Sequence, residues 1–280
     1  MAKAATVSVQ AWTSAGVLLE RYAYTHGAVK PLPKHVHAEY QFGLSFDCTG
    51  NYLYRGARRV IPPGSLSIIH SGEVHAPSDR THLPQPAHFS MAHLDPTWLR
   101  QVATEMAEKP TGDPVFSATV IDPQLNQLFL ALQATAHSQA SKLEQETALW
   151  EWLTYLIAHH ADNRVELRPV KPVRAAVKRA RDYLHTHYAE DISLEALAAI
   201  AGLSRFHFCR VFSKEIGVSP GLYQTQLRIA QARKLLAEGV PITTIIDLTG
   251  FYDQSHFGWH FKRQVGTTPG NYVRKRAISS

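Results

Sequence analysis

Two cysteines in 280 residues, Cys48 and Cys209, are too few for a disulfide framework and fit a reducing, cytoplasmic setting. No apolar run is long enough to cross a bilayer, and the first residues, Met1-Ala2-Lys3-Ala4-Ala5-Thr6, carry no signal-peptide pattern. No membrane partner is therefore expected. The chain also lacks a Gly-rich phosphate loop and a nucleophile triad, so no catalytic residue is assigned and an enzyme is not expected. Acidic charge is scarce in one part only. Residues 172–280 hold 15 Lys+Arg against 8 Asp+Glu, whereas residues 1–171 hold 14 against 15. The whole net excess of +6 thus lies in the C-terminal part, where it suits a phosphate backbone.

That same part contains one short pattern twice. Phe208-x3-Phe212-x4-Gly217-x2-Pro220-Gly221-x-Tyr223 is answered by Phe257-x3-Phe261-x4-Gly266-x2-Pro269-Gly270-x-Tyr272, each position 49 residues later. Upstream, Gly202-Leu203 answers Gly250-Phe251 at an offset of 48. In each copy an apolar helical segment (Leu194, Leu197, Ala198; Ile242, Ile245, Ile246) runs into a Gly, which can end a helix in the left-handed conformation. Ser204 or Asp253 is placed to cap the next helix, whose Phe pair at i, i+4 points inward. Helix, Gly-containing turn and helix, twice over, is the helix-turn-helix layout. Tyr223 to Ala237 reads as a connecting helix.

These residues resemble the DNA-binding domain of the AraC/XylS family of bacterial transcription regulators. The carrying stretch is Gly250-Phe251-Tyr252-Asp253-Gln254-Ser255-His256-Phe257, with Phe261-Lys262-Arg263, Gly266, Thr268-Pro269 and Tyr272. The first copy matches at Leu194, Leu197-Ala198, Gly202-Leu203-Ser204, Arg210, Phe212, Gly217, Pro220 and Tyr223. The resemblance covers about residues 172–276. It implies double-stranded DNA as partner, RNA polymerase as a possible second one, and a homodimer.

The N-terminal part reads as short strands and turns: Val7, Val9 and Val17–Leu19, then 41–46, 51–54, 58–61 and 65–69, broken at Pro62-Pro63-Gly64 and Ser71-Gly72. Such spacing predicts an antiparallel sandwich or barrel. His35-Val36-His37 and Pro63-Gly64 … Gly72-Glu73-Val74-His75 resemble the two halves of a cupin barrel, which this family commonly carries as its effector-sensing domain. In metal-binding cupins two such His, a Glu shortly after and a later His chelate one ion. Here Glu39 comes too soon, and Gln41 or Phe42 stands where that acid is expected. Three imidazoles can hold Zn or Fe, but the reading taken is no cofactor and no metal. His35, His37, Tyr40, Phe42 and His75 are instead expected to line a small-molecule effector pocket, with ordinary barrel packing as the alternative.

Beyond Asp95-Pro96 the texture turns helical, with stripes at Trp98, Leu99, Val102 and Met106, then Leu125, Leu128, Phe129 and Leu132, then Leu149, Trp150, Leu153, Leu156 and Ile157. The fold expected is α+β in two domains. Residues 1–161 form a cupin-like sensor whose helices, about 123–160, are available for dimerisation; 162–171 form a linker; 172–276 form an all-α double helix-turn-helix domain.

In each unit the second helix is expected in the major groove. The outward sets are Arg205, Phe206, Cys209 and Arg210, then Gln254, Ser255, His256, Gly258 and Trp259. Arg210 suits guanine O6 and N7, Phe206 a thymine methyl, and Gln254 adenine. Trp259 stands where the family usually has Arg, and Ile246 where it usually has a small residue, so the first unit is expected to dominate discrimination. A ligand-responsive transcription regulator is the leading reading. The alternatives are a metal-dependent cupin enzyme fused to a DNA-binding domain, and a DNA-binding protein whose barrel is only a dimerisation scaffold.

Overall fold

A computed structural model describes residues 4–30, 33–76, 81–138, 140–162 and 173–274. The segment read as a linker lies outside these residues apart from Asp162. The chain divides into two units, residues 1–133 with 151–167 and residues 134–150 with 168–280. No helix among the described residues is long and apolar enough to cross a membrane.

The first unit is β-rich. Its strands are β1 (Val7–Ser14), β2 (Val17–Tyr24), β3 (Gly27–Ala28), β4 (Tyr40–Ser45), β5 (Gly50–Tyr54), β6 (Ala57–Ile61), β7 (Leu66–Ile69), β8 (His75–Ala76), β9 (His82–Leu83) and β10 (Ala87–Leu94). Then come α1 (Pro96–Ala107), β11 (Thr119–Val120), α2 (Pro123–His137) and α3 (Lys142–His160); the last two cross the unit boundary. The strands pair antiparallel in sheets ordered β1-β2-β10-β4-β7-β11, β3-β9 and β6-β5-β8. Period-two alternation decides what each strand faces. On β4, Tyr40, Phe42 and Leu44 turn into a packed core, where Phe42 meets Trp152 edge-on at 4.9 Å and Trp152 meets Phe129 at 5.3 Å. Gln41, Gly43 and Ser45 face the opposite way, into a cavity.

Beside Trp152, Glu151 has its carboxyl pushed up to about 7 by burial. A carboxyl raised above its unfolded value contributes least where it must ionise. The penalty is absent below the unfolded pKa, near pH 4.5, and full once the pH has passed about 7. Glu151→Gln is therefore expected to raise stability by roughly 1–2 kcal/mol at pH 8 and by almost nothing at pH 4. Thermal melts at both values check this, and equal gains at both would sink it.

The second unit is helical: α4 (Arg174–His187), α5 (Leu194–Ala201), α6 (Arg205–Ile216), α7 (Pro220–Ala237), α8 (Ile242–Thr249), α9 (Gln254–Val265) and α10 (Pro269–Arg274). The expected caps form. Ser204 Oγ accepts from the His207 amide at 3.3 Å, and Asp253 Oδ1 accepts from the His256 amide at 2.7 Å. Gly202, Gly217, Gly250 and Gly266 close their helices in the left-handed conformation. Ile246 sits in the core of the second copy with Ile245, Phe251, Phe257 and Phe261. Residues 134–150 join this unit through specific contacts. Leu194 N donates to Glu146 Oε2 at 2.6 Å, Thr225 Oγ1 to Glu144 Oε2 at 3.0 Å, and Arg205 stacks on the Trp150 ring at 4.5 Å.

Candidate functional site

The cavity in the first unit measures about 550 Å³ and lies between β2, β4, β5, β7 and β10. Registers bring its lining together: Leu18 lies opposite His93, Glu20 opposite Met91, and Tyr22 opposite Phe89. Tyr22, Tyr24 and Phe89 form a near-parallel aromatic panel, with centroids 4.8 Å apart for Tyr22–Phe89 and 5.8 Å for Tyr24–Phe89. Glu20 Oε2 receives the Tyr22 hydroxyl and contacts His93 Nε2, each at 3.1 Å. Burial, then the Glu20 charge, pushes the Tyr22 phenol up to about 12. Burial also lowers His93, outweighing Glu20.

His35, His37 and His75 converge on the same cavity, with candidate ligand nitrogens all within 4.8 Å of one another. Each ring is held by a backbone carbonyl that can only accept: Nδ1 of His35 to Pro33 O at 3.0 Å, of His37 to Glu39 O at 2.8 Å, and of His75 to Glu73 O at 3.2 Å. In the neutral tautomer Nδ1 therefore carries the proton, which makes Nε2 of His35 and of His75 an acceptor or a ligand, whereas His37 Nε2 already meets the Gln41 side-chain oxygen at 3.1 Å. Burial lowers His75, which keeps that ring neutral. Three such nitrogens match the donor set of a zinc-class ion. The Gln41 amide, 3.1 Å from His37 Nε2, occupies the position where a chelating carboxylate is absent.

Two of the five expected pocket residues are corrected. Tyr40 and Phe42 do not line the cavity; they are 3% and 0% exposed on the other side of β4. His35, His37 and Gln41 share one parity, and the even-numbered residues take the other face, so a period-two count would have excluded them. Glu20, Tyr22, Tyr24, Phe89 and His93 were missed. Their signal was alternation on β2 and β10, which becomes informative only once the two strands are known to pair.

On α6 the buried side is wide: Phe206, Phe208, Cys209, Val211 and Phe212. Phe206 and Cys209, at 2% and 9% exposed, are thus corrected from outward to inward. The Phe208/Phe212 stripe implied a narrow buried arc, but packing on two sides broadens it. Arg205 is half-buried against Trp150. Half-buried His207 and Arg210 and exposed Lys214 form an outer strip at i, i+3, i+7. The Arg210 guanidinium lies over the Phe206 ring at 5.1 Å, and burial lowers its pKa.

On α9 His256 is likewise corrected: it is 5% exposed, against the Phe251 ring at 5.3 Å. Gln254, Ser255, Trp259 and Lys262 face solvent, Trp259 being 45% exposed, and Gly258 is half-buried. Arg263 stacks on the Trp259 ring at 5.0 Å. At the 49-residue offset Arg210 answers Trp259 and Lys214 answers the exposed Arg263.

Two family models match the chain: an AraC-like ligand binding domain over residues 20–153 and a helix-turn-helix domain over residues 197–275. Over 242 residues the chain is 29% identical to YbfI, an HTH-type transcriptional regulator of Bacillus subtilis (strain 168), covering 85% of each chain. It is 22% identical to the HTH-type transcriptional activator RhaS of Pectobacterium carotovorum subsp. carotovorum (strain PC1), covering 88% of this chain and 89% of that one. Among solved structures, the C-terminal domain of AraT, a response regulator from Geobacillus stearothermophilus, is 31% identical, with a TM-score of 0.36. That match covers 40% of this chain and 93% of the other. The matched family is one of regulators and not of enzymes, which sets aside the enzyme alternative. With a β-rich ligand-binding unit ahead of two capped helix-turn-helix units, this chain belongs to the AraC family of DNA-binding transcription regulators.

Proposed function

We propose that a small molecule in the first unit's cavity controls DNA binding by the second, with α6 and α9 entering successive major grooves of one duplex face. The outward strips carry this reading: His207, Arg210 and Lys214 on α6, and Ser255, Trp259 and Lys262 on α9, on a part of the chain with a basic excess. The effector has a flat or apolar body that lies on the Tyr22–Tyr24–Phe89 panel and a hydrogen-bond donor that meets the imidazole Nε2 atoms. A cavity of about 550 Å³ suits a molecule of that class. By binding two conformations unequally, it shifts the balance between them. The protein works in the cytoplasm as a homodimer.

Selection of random duplex DNA by the purified protein, with and without candidate effectors, tests the reading. Two enriched blocks about 10 bp apart are expected. No enrichment under any condition, with affinity that merely collapses as salt rises, would refute specific readout. Because Trp259 replaces a cation in the α9 strip, Trp259→Arg is expected to tighten binding and steepen the salt slope by about one phosphate contact. An unchanged slope would place position 259 away from the backbone.

A further inference from the structure

His256 and His260 lie one turn apart on α9 and are only 5% and 3% exposed. Their rings meet edge-on at 4.5 Å. Neither nitrogen of His256, nor Nε2 of His260, has a hydrogen-bond partner among the described residues. Buried nitrogens left in this state are costly and call for a missing partner. A carboxylate stands next to them: Glu144 Oε2 is 3.9 Å from His260 Nε2. It is positioned by the Thr225 hydroxyl and by Gly221, whose missing side chain lets α7 approach the Glu144 backbone; a Cβ there would fall 2.5 Å from Glu144 Cα. One ligand atom from each of the three residues falls within 4.8 Å of the others.

We propose that Glu144, His256 and His260 form a site for a divalent transition-metal ion of the zinc class. Two imidazoles and one carboxylate, with a fourth position for water, is a zinc-type donor set, and nitrogen ligands disfavour magnesium and calcium. Ligand atoms around a tetrahedral zinc lie about 3.3 Å apart, so the Glu144–His260 side must close by about 0.6 Å. The other ligand-atom separations, all within 4.8 Å, must contract towards the same spacing. Burial keeps both imidazoles neutral, the ligating form, with His256 near 4 and His260 near 3. Burial also raises Glu144 to about 7, and an adjacent cation would return it to the carboxylate. The guanidinium groups of Arg228 and Arg263 face the same cluster and oppose the ion. Arg228 is tied to the Tyr188 and Glu190 carbonyls at 2.7 and 3.0 Å, which holds its charge in place and makes the site weaker than a closed four-ligand one. An ion there would pin residues 134–150 to the helix we read as the second recognition helix. Metal binding itself does not depend on that reading.

The test uses the full chain carrying His35→Asn, His37→Asn and His75→Asn, so that the barrel imidazoles do not contribute. Protein stripped with chelator is titrated with zinc chloride, and bound zinc is read by elemental analysis after gel filtration. One zinc per chain is expected, with affinity falling at least about tenfold on Glu144→Gln and on His260→Gln. Cobalt in place of zinc should give the visible absorption of a tetrahedral site, lost in the same variants. Circular dichroism verifies folding; should His260→Gln unfold the chain, Glu144→Gln alone decides. A folded background chain that binds no zinc, or zinc binding untouched by the substitutions, overturns the site. DNA selection is read separately, so a failure of the recognition-helix assignment would leave the zinc result standing.

Discussion

Gly250→Ala is expected to cost about 3–5 kcal/mol and to unfold the second helix-turn-helix unit before the rest. Two effects coincide there. The residue closes α8 at φ +72, where a side chain is strained, and its amide caps the helix on Ile246 O. An added Cβ would also lie 2.0 Å from the Ala189 carbonyl oxygen, well inside contact distance, so backbone would have to move. Gly217 and Gly266 provide the control. They have the same left-handed conformation, at φ +86 and +83, but among the described residues nothing lies within 4 Å of an added Cβ. Alanine at either should cost only the conformational part, about 1–2 kcal/mol. Urea unfolding of the three variants separates the effects. A Gly250 variant no less stable than the Gly266 one would show that the close approach to Ala189 does not exist.

Arg210→Ala is expected to weaken specific DNA binding by about 1–3 kcal/mol, roughly five- to 150-fold, and to relax the preference at one base. Arg210 is the centre of the outer strip on α6. The Phe206 ring beneath its guanidinium restricts the side chain, which favours a fixed bidentate geometry over a loose phosphate contact. Phe206→Ala should therefore reproduce part of the loss without removing the cation. Affinities on the selected site and on scrambled duplex distinguish the outcomes. Equal loss on both would reduce Arg210 to a phosphate contact, and the salt slope would fall by about one.

The contrast between the two recognition helices explains which parts were legible. The duplicated Gly, cap and Phe positions are local rules. A left-handed helix end needs Gly, a free helix start needs a short polar cap, and i, i+4 aromatics share a face, so the double helix-turn-helix could be read without knowing any neighbour. The outward residues could not. Ser255 is accessible while its counterpart Phe206 is buried, and His207 is half-buried while its counterpart His256 is inside. Identical local patterns are therefore covered on opposite shoulders, and only the surrounding helices determine which. Lys214 and Lys262 were overlooked because both fall in the last half of their helices, beyond the N-terminal residues taken to meet the bases.

The pocket divides the same way. His35, His37 and His75 were visible as a motif, and the structure gathers them at one end of the cavity. Tyr40 and Phe42 have the opposite parity to Gln41, Gly43 and Ser45, and alternate strand residues take opposite faces, so they fall outside the cavity. The aromatic panel and the Glu20–His93 contact come from β2 and β10, 73 residues apart at that pair. By itself, the sequence determined the class of protein, the two kinds of unit and the ends of the recognition helices, since these depend on neighbours within one or two turns. Tertiary structure alone decided which side chains remain available to DNA, to an effector or to an ion, because accessibility belongs to the packed surface and not to the residue.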